Sequence, residues 1–190
     1  MGARPLARLK KKATEAARTT LFVDETGVYL LPGVVNTWAP VGETPILHHH
    51  LSKAHLSIIS AVSPEGDLYF HVQQHAYNSD DVIAFLLAVH ETIPGKLLVI
   101  WDGATIHHGD KYEAFLAQGA AEWLQLERLP GYAPELNPDE GIWEYLKYVE
   151  LKNVCASTVE MLQAVVLKAL DHIRQMGTIV KAKFKEAGLS

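Results

Sequence analysis

Leu97-Leu98-Val99-Ile100-Trp101-Asp102 is five apolar residues without alternation, ending on a carboxylate. Strand side chains point alternately to opposite faces, so an unbroken apolar run of this length reads as a strand covered on both sides. Pro94-Gly95 and Gly103 punctuate its two ends. A doubly covered strand needs helices on both faces of its sheet, and the flanking sequence supplies them. Upstream, Asn78 or Ser79 caps a helix to about Thr92, with Val82, Phe85, Leu86 and Val89 on one side. Downstream, Asp110 to about Gln118 reads as a short helix and Trp123 to Leu129 as a further strand.

The remaining elements follow outward. Leu21 to Leu31 alternates as a strand closed by Pro32-Gly33, and Val35 to Ala39 is its candidate hairpin partner. Ser57 to Ser63 and Leu68 to Gln74 are β-rich runs around the turn Pro64-Glu65-Gly66-Asp67. Pro130 to Pro138 is a rigid loop, Asp139 to about Lys152 a helix, and Ser157 or Thr158 starts an amphipathic helix to about Met176. Residues 5–18 have helical spacing after Pro5. This order is α/β with a mixed sheet. No internal repeat or second domain is evident, and 190 residues suit one core.

Composition narrows the class. With 48% apolar and 21% charged residues, the chain is neither disordered nor fibrous. Its one cysteine, Cys155, excludes a disulfide scaffold and a C-x-x-C motif; it reads as a small buried hydrophobe in a reducing compartment. No apolar run reaches the ~18 residues of a membrane span. The net charge of −5 is unevenly spread. Residues 1–18 carry six basic side chains against Glu15, residues 168–190 carry five against two acids, and the centre is strongly acidic. Basic ends suit a polyanion, whereas an acidic centre repels phosphate unless cations intervene.

Three acids stand at element ends in a compatible order. Asp24 lies within Leu21-Phe22-Val23-Asp24-Glu25, Asp102 follows the buried run, and Glu140 opens the helix after Tyr132-Ala133-Pro134-Glu135-Leu136-Asn137-Pro138. A carboxylate in a buried strand is costly unless it is paired or holds a metal. Carboxylates are hard ligands suited to Mg²⁺ or Mn²⁺, and two such ions about 3.5–4 Å apart can serve both oxygens of a phosphoryl displacement. Each acid also has a purely structural reading. Asp102-Gly103 makes an ordinary turn, Asp24-Glu25 an edge pair, and Glu140 a capping box with Asn137 as cap and Pro138 at the first helical position.

Phe22-Val23-Asp24-Glu25, Val99 to His107 (Val-Ile-Trp-Asp-Gly-Ala-Thr-Ile-His) and Tyr132 to Glu140 (Tyr-Ala-Pro-Glu-Leu-Asn-Pro-Asp-Glu) together resemble the catalytic domain of IS630/Tc1-mariner superfamily transposases. Trp38 with Pro40, Gly42 and Pro45 is similar to a tryptophan-proline-glycine segment of that family. The likeness covers roughly residues 19 to 155. It implies an RNase H-like mixed five-stranded sheet flanked by helices, with Asp24, Asp102 and Glu140 as catalytic and metal-binding residues. Glu25, His107 and Asn137 are candidate supports around them. It further implies a DDE superfamily endonuclease using Mg²⁺ or Mn²⁺, two ions, for hydrolysis at transposon ends and then 3′-hydroxyl strand transfer, in DNA recombination and transposition. The partners implied are double-stranded DNA, a second copy in a homodimer, and a helix-turn-helix subunit or frame upstream. The setting implied is cytoplasmic, at the nucleoid. Departures are Gly103 where asparagine is common, Ala133 where serine is common, a rather long gap of 37 residues between Asp102 and Glu140, and Asp139 in place of an apolar residue. Asp139 offers another way to draw the triad, but Glu140 aligns with the family's final acid.

Within this reading, residues 1–19 are a basic linker or the remnant of an upstream helix, residues 20–176 the catalytic domain, and residues 177–190 a basic tail. The short stretch before Asp24 suggests a second reading frame or a truncated relic. Lys10, Lys11, Lys12, Lys53, Lys147 and Lys152 are candidate DNA contacts. Among the 10 histidines, His48-His49-His50 could gather zinc, although a defined site needs ligands on one face. Trp101, Trp123 and Trp143 read as core, and Trp38 as hairpin packing or a DNA-stacking residue. Two rival functions are an RNase H-like nuclease without strand transfer and a catalytically silent DNA- or partner-binding remnant.

Overall fold

A computed structural model describes residues 18–31, 38–43, 46, 54–104, 107, 109–130 and 134–189. Its strands are β1 (Arg18–Tyr29), β2 (His55–Val62), β3 (Leu68–Gln73), β4 (Lys96–Trp101) and β5 (Leu124–Arg128). They form one sheet in the order β3-β2-β1-β4-β5. The pairs β1–β2 and β2–β3 are antiparallel, whereas β4 runs parallel to both β1 and β5. The helices are α1 (Ser79–Thr92), α2 (Asp110–Ala117), α3 (Pro138–Tyr145), α4 (Val159–Gln175) and α5 (Gly177–Glu186).

Alternation along the strands builds two cores. Leu21, Val23, Ile59, Leu97, Val99 and Trp101 face one way and pack under Val82, Phe85, Leu86 and Val89 of α1 and Tyr112 of α2. Phe22, Ile58, Leu98 and Ile100 face the other way, under Ile142 and Trp143 of α3, Val166 and Leu170 of α4, and Val180 and Phe184 of α5. The unbroken apolar run of β4 is therefore covered on both sides, as its sequence predicts. The α1 start is a full capping box: Asn78 Oδ1 accepts from the Asp80 and Asp81 amides, and the Asp81 carboxylate accepts from the Asn78 amide. Gly66, at φ +100° in the β2–β3 turn, lets the Gly177 carbonyl approach; a Cβ there would lie 2.7 Å from that oxygen.

Several expectations are corrected. Strand β1 starts at Arg18, inside the segment read as a linker, because the Arg18 guanidinium donates to the Leu97 and Trp123 carbonyls at 3.1 Å each. Residues 177–186 form helix α5 rather than a tail: Val180 and Phe184 recur at i, i+4 and bury, with Phe184 edge-on to Phe22. The helix opened by Pro138 does not continue regularly to Lys152. After Tyr145 it widens into a π-helical turn, Leu146–Glu150, closed by the Leu151 amide donating to the Leu146 carbonyl at 2.9 Å. Cys155 is exposed, because it sits in the turn beyond that widening. Trp38 is fully exposed and does not pack in a hairpin. Residues 5–17, the histidine run 48–50, and Lys10, Lys11, Lys12 and Lys53 lie outside the described residues.

Candidate active site

Parallel pairing of β1 with β4 fixes the first two acids. The register pairs Phe22 with Ile100, and the same offset carried two residues further sets Asp24, in the middle of β1, level with Asp102, just past the end of β4, at the C-terminal end of their parallel pairing. That end of a parallel pair is where open α/β sheets place ligands. Asp24 shares the face of Phe22, so it looks toward α3, where the Trp143 indole N–H donates to its Oδ2 at 2.9 Å. Helix α3 also brings Glu140, one residue after the fully buried Asp139. Asn137 caps this helix, accepting from the Asp139 amide at 3.2 Å.

Burial and neighbouring charge together set the protonation of the acids. Burial, followed by the charges of Glu140, Glu25 and Asp102, pushes the Asp24 carboxyl up to about 7, against the opposing Trp143 hydrogen bond. Asp139 is raised well above the ordinary carboxylate range by burial and by Asp24. The Ser60 hydroxyl donates to its Oδ1 at 2.5 Å, and its Oδ2 is a buried oxygen with no hydrogen-bond partner. Ser60 is the β2 residue paired with Asp24, so the link ties α3 to the strand beside the site.

On the other face His107 joins the acids from below. Its ring is buried and stacks on Trp101 at 4.4 Å. Nε2 bonds to Glu25 Oε1 at 3.0 Å, and Nδ1 lies 3.1 Å from Asp102 Oδ1, in ion-pair range without hydrogen-bond alignment. Burial pulls the His107 pKa down, but the Glu25 hydrogen bond and the charges of Glu25 and Asp102 outweigh it and leave it raised. Asp102 Oδ1 also accepts from the Ala104 amide at 2.8 Å, so this carboxylate is turned into its own loop.

Lys147, in the π-helical turn, donates to Thr26 Oγ1 at 2.6 Å and is half-buried. Burial lowers its pKa against the pull of Glu140 and Asp24. Lys152 is exposed on the surface. Among the described residues, no three His, Cys, Asp or Glu side chains converge as a ready metal cage. The donor chemistry nevertheless fits a hard divalent cation: Asp24 is a buried carboxylate with the charges of Glu140, Glu25 and Asp102 around it, and a bound cation would offset both the burial and that repulsion. Glu140 and Asp102 are exposed.

The roles of Trp143 and Lys147 toward the site go beyond what the sequence suggests. Trp143 reads as plain core because its neighbours are apolar, and its three-residue spacing from Glu140 is the one available signal. Lys147 reaches β1 from a π-helical turn that helical periodicity does not anticipate.

No described helix is long and apolar enough to cross a membrane. A search of curated proteins finds no match. Among solved structures, the fold is similar to the mariner Mos1 paired end complex with Mg, at 15% identity and a TM-score of 0.64, over 95% of this chain and 57% of that one. It is similar to the catalytic domain of Mos1 mariner transposase at 12% identity and a TM-score of 0.55, over 96% of this chain and 88% of that domain. The Mos1 strand transfer complex aligns at 13% identity and a TM-score of 0.59, over 93% and 57%. The chain thus spans a little over half the length of the Mos1 chains in those complexes, and the likeness establishes the RNase H-like fold of the mariner catalytic domain. The sequence profile of the DDE superfamily endonucleases matches residues 19–163, and the chain belongs to that family.

Proposed function

We propose that this domain performs metal-dependent phosphodiester chemistry on DNA at transposon ends: hydrolysis first, then transfer of the freed 3′-hydroxyl to target DNA. The observation that carries this reading is the β1–β4 register, which sets Asp24 level with Asp102, with α3 packed over Asp24 through Trp143, in a chain of the DDE family. Solved relatives are described as a paired-end complex with the left transposon end and as paired end complexes with Mg and with Mn.

Asp24, Asp102 and Glu140 would hold Mg²⁺ or Mn²⁺, in a two-ion site of the kind that serves phosphoryl transfer. When bound, the cations supply activation of the attacking oxygen and stabilisation of the leaving one. The chain's own contribution is placement. Trp143 fixes the Asp24 rotamer through its indole N–H and favours the ionised form. The Glu25–His107 pair steadies Asp102 from the opposite face, as residues behind a ligand do elsewhere. Asn137 sets the start of α3 and so the direction from which Glu140 arrives. Lys147 and Lys152, with Lys10, Lys11, Lys12 and Lys53, are the proposed phosphate contacts. Double-stranded DNA, a second copy of the chain and an upstream helix-turn-helix unit are the proposed partners, and the cytoplasm at the nucleoid the proposed setting.

The test is a DNA-nicking assay with Mn²⁺ comparing wild type, Asp102→Ala and Glu140→Ala. Nicking confined to wild type is expected; equal nicking by all three means a contaminant or another active site. Incubation with a pre-cut 3′-hydroxyl end then separates a transposase, which joins it to target DNA, from a nuclease that only cuts.

A further inference from the structure

We propose that a pocket beside the carboxylates receives one unpaired nucleobase of the DNA strand being processed, an inference that rests on the reading above. The pocket, of about 220 Å³, lies between the end of β1 and the π-helical turn. It is smaller than the roughly 300–1,000 Å³ of sites for whole drug-sized ligands, so it suits a single planar fragment. Its floor is apolar, with Leu151, Val154 and Leu162, and its walls include Tyr29 and Tyr148. Both tyrosines are more than half exposed, at 57% and 60%, so their rings are accessible to a ligand.

Tyr29 is braced for stacking. Its ring lies over Gly27, where a Cβ would sit 3.6 Å from it, and against His55, its cross-strand partner, at 5.4 Å between centroids. Lys147 lines the same pocket while its ammonium sits on Thr26. Thr26 is two residues along β1 from Asp24 on the same face, about 7 Å away by strand geometry. Gly27 and Tyr29 point to the other face, so the pocket takes in both faces of β1 where its pairing with β4 has ended. An apolar hollow with aromatic walls and a cation between it and the metal-binding carboxylates matches the chemistry of single-stranded nucleic acid: phosphate toward the cations, base on the rings.

The full chain, with Ca²⁺ present to limit turnover, is titrated with a duplex carrying an unpaired 2-aminopurine beside a recessed 3′ end, and with the same duplex made abasic at that position. Quenching of 2-aminopurine is expected. Tyr29→Ala and Tyr148→Ala should weaken binding of the base-bearing duplex by about tenfold while leaving the abasic duplex within about twofold, and the Phe variants should restore it. Equal weakening on both duplexes, or no change on either, overturns the proposal. So does a loss confined to self-association in sedimentation, which would make the pocket a contact between copies. The two readings fail separately. Tyrosine-dependent base binding by a chain that does not nick with Mn²⁺ removes the cleavage reading and leaves the pocket. Triad-dependent nicking without base dependence removes the pocket and leaves the cleavage.

Discussion

Trp143 shows how one side chain can serve packing and chemistry together. It is buried in the core under α3, yet its indole N–H is aimed at Asp24, the most crowded carboxylate of the site. Replacement by Phe keeps an aromatic ring in the cavity and removes the donor. Since that hydrogen bond favours ionised Asp24, its loss raises the Asp24 pKa further, and the acid limb of the Mn²⁺ nicking profile should move to higher pH. Activity at neutral pH should fall by roughly tenfold, with recovery in alkaline buffer. An unshifted limb would mean that Asp24 does not titrate in the rate. His107→Ala makes a different prediction. With the link from Glu25 to Asp102 gone, the Mn²⁺ concentration for half-maximal nicking should rise about 10–100-fold, with the saturated rate changed far less. A rate that saturating Mn²⁺ cannot restore would assign His107 a role beyond orienting Asp102. The histidine was legible from its place five residues after Asp102. Its contact with Glu25 was not, because parallel pairing brings together residues 82 apart in the chain.

Between elements, the joint that matters is α3 against β2, where Ser60 donates to the fully buried Asp139. A polar pair spans the interface, and one of its oxygens is left without a hydrogen bond. Ser60→Ala should destabilise the domain by about 1–3 kcal/mol in urea, because it strands a buried carboxyl. The double variant Ser60→Ala with Asp139→Leu should recover most of that loss, as apolar replacement of a buried polar pair often does. A double variant as unstable as the sum of the singles would show that the pair is needed to seat the helix. The elements themselves were largely legible: the apolar β4, the capping box of α1 and the Pro-Glu-Gly-Asp hairpin turn are local signals, and each appears where its residues dictate. The failures share a cause. Helix α5 hides its apolar Val180 and Phe184 among lysines, and the π-helical turn inserts one residue into a pattern whose periodicity continues undisturbed. Both are settled by packing against distant partners, and a reading of near neighbours has no access to that.

For the molecule as a whole, the acidic cluster ties stability to pH and to divalent cations. The folded-state pKa of Asp24 is raised from 3.8 to about 7, and that of Asp139 is raised as well, so the folded chain holds more protons than the unfolded one across this range. Stability must then fall as pH rises from about 4 to 7, by an amount on the order of 4 kcal/mol for Asp24, and flatten beyond its folded pKa. His107, raised by its acidic partners, contributes stability that is present below about pH 6.5 and lost as pH rises through its own folded value, so it extends the fall beyond the Asp24 window. A cation that binds the ionised cluster acts in the opposite sense, stabilising the folded state through mass action and competing with the protons. Thermal unfolding with and without millimolar Mg²⁺ should therefore show little gain at pH 5 and a clear rise in Tm at pH 8. Asp24→Asn should flatten the pH slope without metal and remove most of the gain with it. A Tm gain of equal size at both pH values, or one that survives Asp24→Asn, would place the cation away from these carboxylates and detach the acidic cluster from the chemistry assigned to it.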